Sequence, residues 1–156
     1  LAPLRLCGEV FGAKARSSNM YKSQEGVSMT REELNALSSE ILDACIYVHR
    51  EMGPGLLESV YVLCLLEELK KRSIRASCEV PIALNYRGTN LSKEFRIDVL
   101  VEDEIVLEIK SVDALLPVHE AQVISYLRLA RKRLGFLINF NVPVMKEGFR
   151  RFVNGF

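Results

Sequence analysis

The sequence predicts an α/β fold in which a mixed central sheet is flanked by helices, with one extra helix ahead of the core. Two apolar patterns of helical period open the chain after a non-periodic start. Three alternating stretches follow, and a third helix leads into a strand that is apolar almost throughout. An order of helix, three strands, helix, strand calls for a sheet covered by helices. At 156 residues the chain is long enough for one domain with a real core and too short for two.

Residues 1–28 show no sustained periodicity and are rich in Gly, Ser, Ala and scattered charge, so they are expected to be a disordered extension, with residues 29–156 as the domain and Met29 as the functional start. Thr30-Arg-Glu-Glu33 is a capping-box pattern, and Leu34, Leu37, Ile41, Cys45, Val48 and Met52 follow at helical spacing. The first helix is therefore expected over about residues 30–51. Gly53-Pro54-Gly55 ends it, and a second helix is expected from Leu56 to about Arg72.

Val80, Ile82, Leu84 and Tyr86 then alternate along one strand face, with Arg87-Gly88-Thr89-Asn90 as the turn. Phe95, Ile97, Val99 and Val101 are expected to line one face of the next strand, and Ile105, Leu107 and Ile109 one face of its partner. Pro117 opens a third helix, over about 118–133. Leu134–Asn141 reads as a strand buried on both sides, and Phe149–Val153 as a short edge strand.

Bulk composition narrows the function. Hydrophobic residues at 49% and charged ones at 26% fit a soluble globular protein, and no apolar run reaches the roughly 20 residues of a membrane span. No membrane association is expected. The formal net charge is +1, and residues 29–156 alone carry 17 basic and 18 acidic side chains, so total charge does not advertise a polyanion ligand. Cys7, Cys45, Cys64 and Cys78 form no CxxC pair and are expected to be reduced thiols in a cytoplasmic protein, which argues against a zinc or disulfide framework.

The candidate site comes from strand register. A three-residue connection, Glu102-Asp103-Glu104, pairs Val101 with Ile105 and so sets Asp98 opposite Glu108, with Lys110 two residues along on the same face. Opposed β-carbons lie about 5 Å apart, so the two carboxylates repel unless a cation bridges them or a proton is shared. Oxygen donors of this kind suit Mg²⁺ or Mn²⁺, which would lower the pKa of a bound water, with Lys110 to hold or deprotonate it. The plainer reading, three solvent-facing residues on a half-exposed sheet, is equally compatible with so short a pattern. Two features add to it. Glu58 interrupts an apolar run just behind the Gly-Pro-Gly turn, though a first-turn glutamate also stabilises a helix N-terminus. Gln122 and Tyr126 lie one helical turn apart on the face that carries His119, where a mere polar seam is the alternative.

Taken together, Gly55-Leu-Leu-Glu58-Ser-Val-Tyr61 resembles the pattern that names the GxxExxY proteins, a family assigned to the PD-(D/E)XK nuclease superfamily, and the resemblance runs from about Leu34 to Val153. It implies the restriction-endonuclease-like αβββαβ core. It also implies Asp98, Glu108 and the Ile109 carbonyl as metal ligands, Glu58 as the acidic residue of the first core helix, and Lys110 as the catalytic lysine. Gln122-Val-Ile-Ser-Tyr126 is similar to the QxxxY element of RecB-type nucleases, which helps position substrate or metal-bound water. Arg96-Ile97 replaces the proline-containing lead-in, which is often absent.

The implied activity is a metal-dependent nuclease, a hydrolase using Mg²⁺ or Mn²⁺ on nucleic acid, with DNA ranked ahead of RNA and self-association left open. The alternative is a catalytically silent nucleic-acid-binding or regulatory module on the same fold. A third reading is an assembly subunit whose first helix offers its apolar stripe to a partner. His49 is expected to be a surface or packing histidine. The clusters Lys70-Lys71-Arg72 and Arg131-Lys132-Arg133 end helices, where cations are favoured, and could track a phosphate backbone only if the fold sets them beside the site.

Overall fold

A computed structural model describes residues 28–91 and 95–155, so the expected N-terminal extension lies almost entirely outside the described residues. Helix α1 (Arg31–Met52) is capped by Thr30, whose side chain accepts from the Glu33 N–H while Glu33 reaches back to the Thr30 N–H. Such a cap stabilises a helix by about 0.5–2 kcal/mol. Helix α2 (Glu58–Lys71) begins two residues later than its apolar pattern suggests, because the chain bends from Pro54 to Leu56 and Leu57, the N-cap residue, is extended.

Strands β1 (Ala76–Pro81), β4 (Arg96–Val101), β5 (Ile105–Lys110), β6 (Leu134–Asn139) and β7 (Phe149–Val153) form one sheet in the order β1-β4-β5-β6-β7. Only β5 and β6 are parallel, and they are joined by helix α3 (Pro117–Ala130). A helix linking neighbouring parallel strands runs back along them, so the α3 N-terminus lies at the Lys110 end of β5. The mixed sheet flanked by helices is the architecture the sequence predicts. Every residue of β6 is buried, as its apolar run requires.

Helices α1 and α2 cover one sheet face with a core that includes Leu34, Ile41, Tyr61, Leu65, Leu107 and Phe136, while Val123, Tyr126 and Leu127 of α3 cover the other with Val106 and Leu137. The apolar stripe of α1 is filled within its own chain from Leu34 to Val48, with Met52 alone of the stripe exposed, so it offers no long apolar face of the kind the assembly-subunit reading invokes. Burying each such large aliphatic side chain stabilises the fold by roughly 1.5–3 kcal/mol.

Two expectations change. The face expected to carry Val80, Ile82, Leu84 and Tyr86 is split, because β1 starts at Ala76 and ends at Pro81, and Tyr86 belongs to a separate exposed hairpin of β2 (Asn85–Tyr86) with β3 (Thr89–Asn90). Nor does β4 keep one face throughout. Phe95 and Ile97 pack on the α3 side, Val99 and Val101 on the α1/α2 side, and Ala76, Cys78 and Val80 of β1 divide in the same way. The switch falls where Glu79 adopts a left-handed φ of 50° between the pairs Cys78↔Val99 and Val80↔Ile97, which breaks the two-residue alternation in both strands.

Cys45 and Cys64 are free thiols as expected, but Cys78 is disulfide-bonded, which corrects the expectation of a reduced thiol there. Its strand β1 is an edge strand of the sheet among the described residues. No helix among the described residues is long and apolar enough to cross a membrane.

Candidate metal centre

The hairpin between β4 and β5 has the predicted register. Val101 pairs with Ile105 and Val99 with Leu107, across a turn in which Glu102 and Asp103 both take left-handed φ and Glu104 N–H donates to the Val101 carbonyl. The ladder then stops. Asp98 and Glu108 are in register but unpaired, because β4 swings away at the face switch. Continued pairing would bring Ile97 to Ile109. Instead the Asp98 side chain enters the gap, and its Oδ2 accepts the Ile109 N–H at 2.8 Å. The N–H and C=O of one strand residue leave on the same side, so the Ile109 carbonyl also faces Asp98.

Glu108 shares the α3 side of β5 with Val106 and is 2% exposed. Its Oε1 pairs with Lys110 Nζ at 3.3 Å, and its Oε2 has no hydrogen-bond partner. Burial, and then the Asp98 charge, push the Glu108 carboxyl far above its ordinary value, and the two carboxyls are close enough to share a proton. Asp98 is raised too, first by burial, with the Ile109 N–H and Lys110 opposing. Burial alone would pull Lys110 down. The charges of Glu108, Glu58 and Asp98, together with the Glu108 hydrogen bond, more than offset it, so the amine is held protonated.

Glu58 is the first residue of α2 and exposed, and its Oε1 accepts the Ser111 N–H at 3.4 Å. Its charge acts on Asp98, Glu108 and Lys110 alike, so the four expected side chains do form one electrostatic unit. They do not form a ready cage: among the described residues no three acidic, His or Cys side chains are gathered to hold a metal ion. The pairwise charge effects act over longer distances than a coordination bond, so both observations hold together. Asp98 and Glu108 form the close pair, and Glu58 stands further out.

The Gly-x-x-Glu-x-x-Tyr stretch acquires a physical account. Gly55 sits at φ +94°, a conformation that side chains rarely adopt. Tyr61, fully buried and stacked on Phe140 with ring centroids 4.4 Å apart, donates its hydroxyl hydrogen to the Gly53 carbonyl at 2.5 Å and accepts the Leu56 N–H at 3.1 Å. The tyrosine thus ties down the loop that delivers Glu58. From β5, Ser111 Oγ donates to the Leu56 carbonyl at 2.5 Å. A depression of about 480 Å³, lined by Gly55–Ser59, Ser111 and Asn141, opens beside Glu58.

Gln122 donates to the Tyr126 hydroxyl at 2.9 Å, and Tyr126 packs in the α3-side core with Val106. No hydrogen bond among the described residues joins either to Asp98, Glu108 or Lys110. His119 Nδ1 accepts the Leu116 N–H at the start of α3, and His49 Nε2 donates to the Val142 carbonyl at 2.7 Å, so both histidines have structural partners.

Neither basic cluster borders the site. Lys70-Lys71-Arg72 ends α2, about 20 Å along the helix from Glu58, and Arg72 pairs with Glu68 and Glu40. Arg131-Lys132-Arg133 precedes β6, whose first residue pairs with Ile105 at the far end of β5, and Lys132 and Arg133 pair with Asp103 and Glu104.

Residues 35–152 match the family model for the PD-(D/E)XK nuclease superfamily, and the chain belongs to that superfamily. Its members generally use divalent metal ions such as Mg²⁺ and act on nucleic acid. No curated protein and no solved structure matches the chain.

The residues fit such an ion. Asp98, Glu108 and the Ile109 carbonyl offer only oxygen donors, and the buried Glu108 Oε2 lacks a partner that a cation would supply. Mg²⁺ characteristically takes one or two carboxylates and keeps several waters, so a close pair suffices.

Proposed function

We propose that the chain is a metal-dependent nuclease of the GxxExxY type, hydrolysing phosphodiester bonds with DNA ranked ahead of RNA as substrate. One observation carries the reading: a buried Glu108 carrying an unpartnered oxygen beside the in-register Asp98, with Lys110 bonded to the same carboxylate.

Asp98, Glu108 and the Ile109 carbonyl would hold Mg²⁺ or Mn²⁺, which polarises a phosphate oxygen and lowers the pKa of a bound water. Glu58 completes the acidic rim from α2. Lys110 presents a protonated amine whose positive charge and N–H donors stabilise the charge developing on the attacked phosphate. Gln122 and Tyr126 orient substrate from α3, each fixed by the other. The free thiols Cys45 and Cys64 favour a reducing, cytoplasmic setting, and the Cys78 disulfide weighs against it.

The test is cleavage of a panel of single- and double-stranded DNA and RNA with Mg²⁺ or Mn²⁺. Asp98→Ala and Lys110→Ala each abolish the reaction, and activity surviving both substitutions removes the assignment. A specific observation favours the silent-module reading: both basic clusters lie away from the site, which leaves few cations to grip a phosphate backbone. Calorimetric Mn²⁺ binding without cleavage anywhere on the panel selects that reading.

A further inference from the structure

Asn139 is the one polar side chain in the apolar β6 and is 2% exposed. A buried amide costs stability unless its donors and acceptor are met. Its Oδ1 accepts the Val112 N–H at 3.1 Å and the Asn141 N–H at 3.2 Å, and its Nδ2 donates to the Val112 carbonyl at 2.9 Å. The side chain thereby makes both hydrogen bonds of a β-ladder step to a residue past the end of the ladder.

The clasp sits where it acts on the site. Asn139 pairs with Lys110 in the β5–β6 register, and the Phe140 N–H donates to the Lys110 carbonyl at 2.9 Å. Ser111 is therefore held between two fixed residues, Lys110 and Val112. It is Ser111 that gives its N–H to Glu58 and its hydroxyl to the Leu56 carbonyl. The Asn139 backbone is itself confined: a Cβ on Gly148 would come within 2.0 Å of the Asn139 carbonyl oxygen, so the following turn packs directly upon it.

We infer that Asn139 is a positioning residue for the metal centre, locking Ser111-Val112 so that Glu58 of α2 is held at the rim of the Asp98–Glu108 pair. The inference rests on the nuclease reading above. It places the control of Glu58 in a residue of another strand that touches neither Glu58 nor substrate.

The experiment is a double-mutant cycle on the full chain. Asn139→Ala is measured in the wild-type and Glu58→Gln backgrounds for kcat, KM and Mn²⁺ affinity by calorimetry, with hydrogen exchange of the Val112 amide alongside. Asn139→Ala is expected to lower kcat and Mn²⁺ affinity by about 10–100-fold, to leave KM for nucleic acid within about threefold, and to raise Val112 exchange. In the Glu58→Gln background the same substitution costs less than about threefold, because the partner it serves is already lost. Should Asn139→Ala fail to fold, Asn139→Asp carries the cycle: it keeps the size of the side chain and loses the donor to the Val112 carbonyl. Equal losses in the two backgrounds, or unchanged kcat with faster Val112 exchange, overturn the inference while the nuclease reading stands. A wild-type chain that neither cleaves nor binds Mn²⁺ overturns both.

Discussion

The Asp98 carboxylate accepts the Ile109 N–H at 2.8 Å, in the place where a continuing strand would have supplied a backbone carbonyl. Asp98 is thus a structural acceptor and a candidate ligand at once. Asp98→Asn keeps an oxygen for Ile109 but removes a buried charge that disfavours ionisation of Glu108. The expected outcome is a metal-free protein at least as stable as wild type in urea, with cleavage reduced at least about 100-fold. Loss of stability together with activity would instead mark Asp98 as a purely structural residue.

Glu108 makes the metal-free fold sensitive to pH. Burial, followed by the Asp98 charge, raises its folded pKa from 4.5 to about 8. Between those values the folded state keeps a proton that the unfolded state has released, so stability falls as pH rises through that window and levels off above it. The slope approaches about 1.4 kcal/mol per pH unit at most, the limit for one proton. Glu108→Gln should flatten the profile of thermal midpoint against pH, and Mn²⁺ should raise the midpoint most at the alkaline end, where the bare carboxylate is least comfortable.

Tyr61→Phe removes only a hydroxyl, yet that oxygen serves the Gly53 carbonyl and the Leu56 N–H. The loss should cost about 1–3 kcal/mol in chemical denaturation. Because the ring and its stacking on Phe140 remain, the core stays packed while the Glu58 loop loosens. Activity should therefore fall further than stability explains, as compared with Leu34→Ala, a core truncation at the opposite end of α1 from that loop.

Neutralising Lys71 and Arg131 together should leave nucleic-acid affinity and its salt dependence nearly unchanged. A protein that grips phosphates loses roughly one unit of salt slope per contact removed. These two cations sit at the far end of α2 and of the sheet from Lys110, so a slope change of about one unit or more would show that substrate runs the length of the molecule.

Much of this was legible from spacing alone. The Thr30 capping box, the apolar period of α1, the buried run of β6 and the Val101–Ile105 register all follow from local chemistry or from a strict period of two. The Asp98–Glu108 pairing followed from the register, but only in its residue numbers. Alternation cannot foresee the left-handed Glu79, φ 50°, at the point where both strands change face, nor that the β4–β5 ladder stops one step before the two acids. Asn139 did carry a signal, being a lone amide in an apolar strand, but its partner Val112 lies 27 residues away.

The amino-acid sequence by itself determined which elements form, most of the faces they bury, and the register that sets Asp98 beside Glu108 and Lys110. These depend on hydrophobic period and turn chemistry, which act over a few residues. The tertiary structure decided that Asp98 wedges between strands rather than facing Glu108 across a ladder, that Glu58 stands outside the close pair, and that both basic clusters point away from the site. Those outcomes depend on where strands part and where helices end against a shared core, and that is set by the packing of the whole chain.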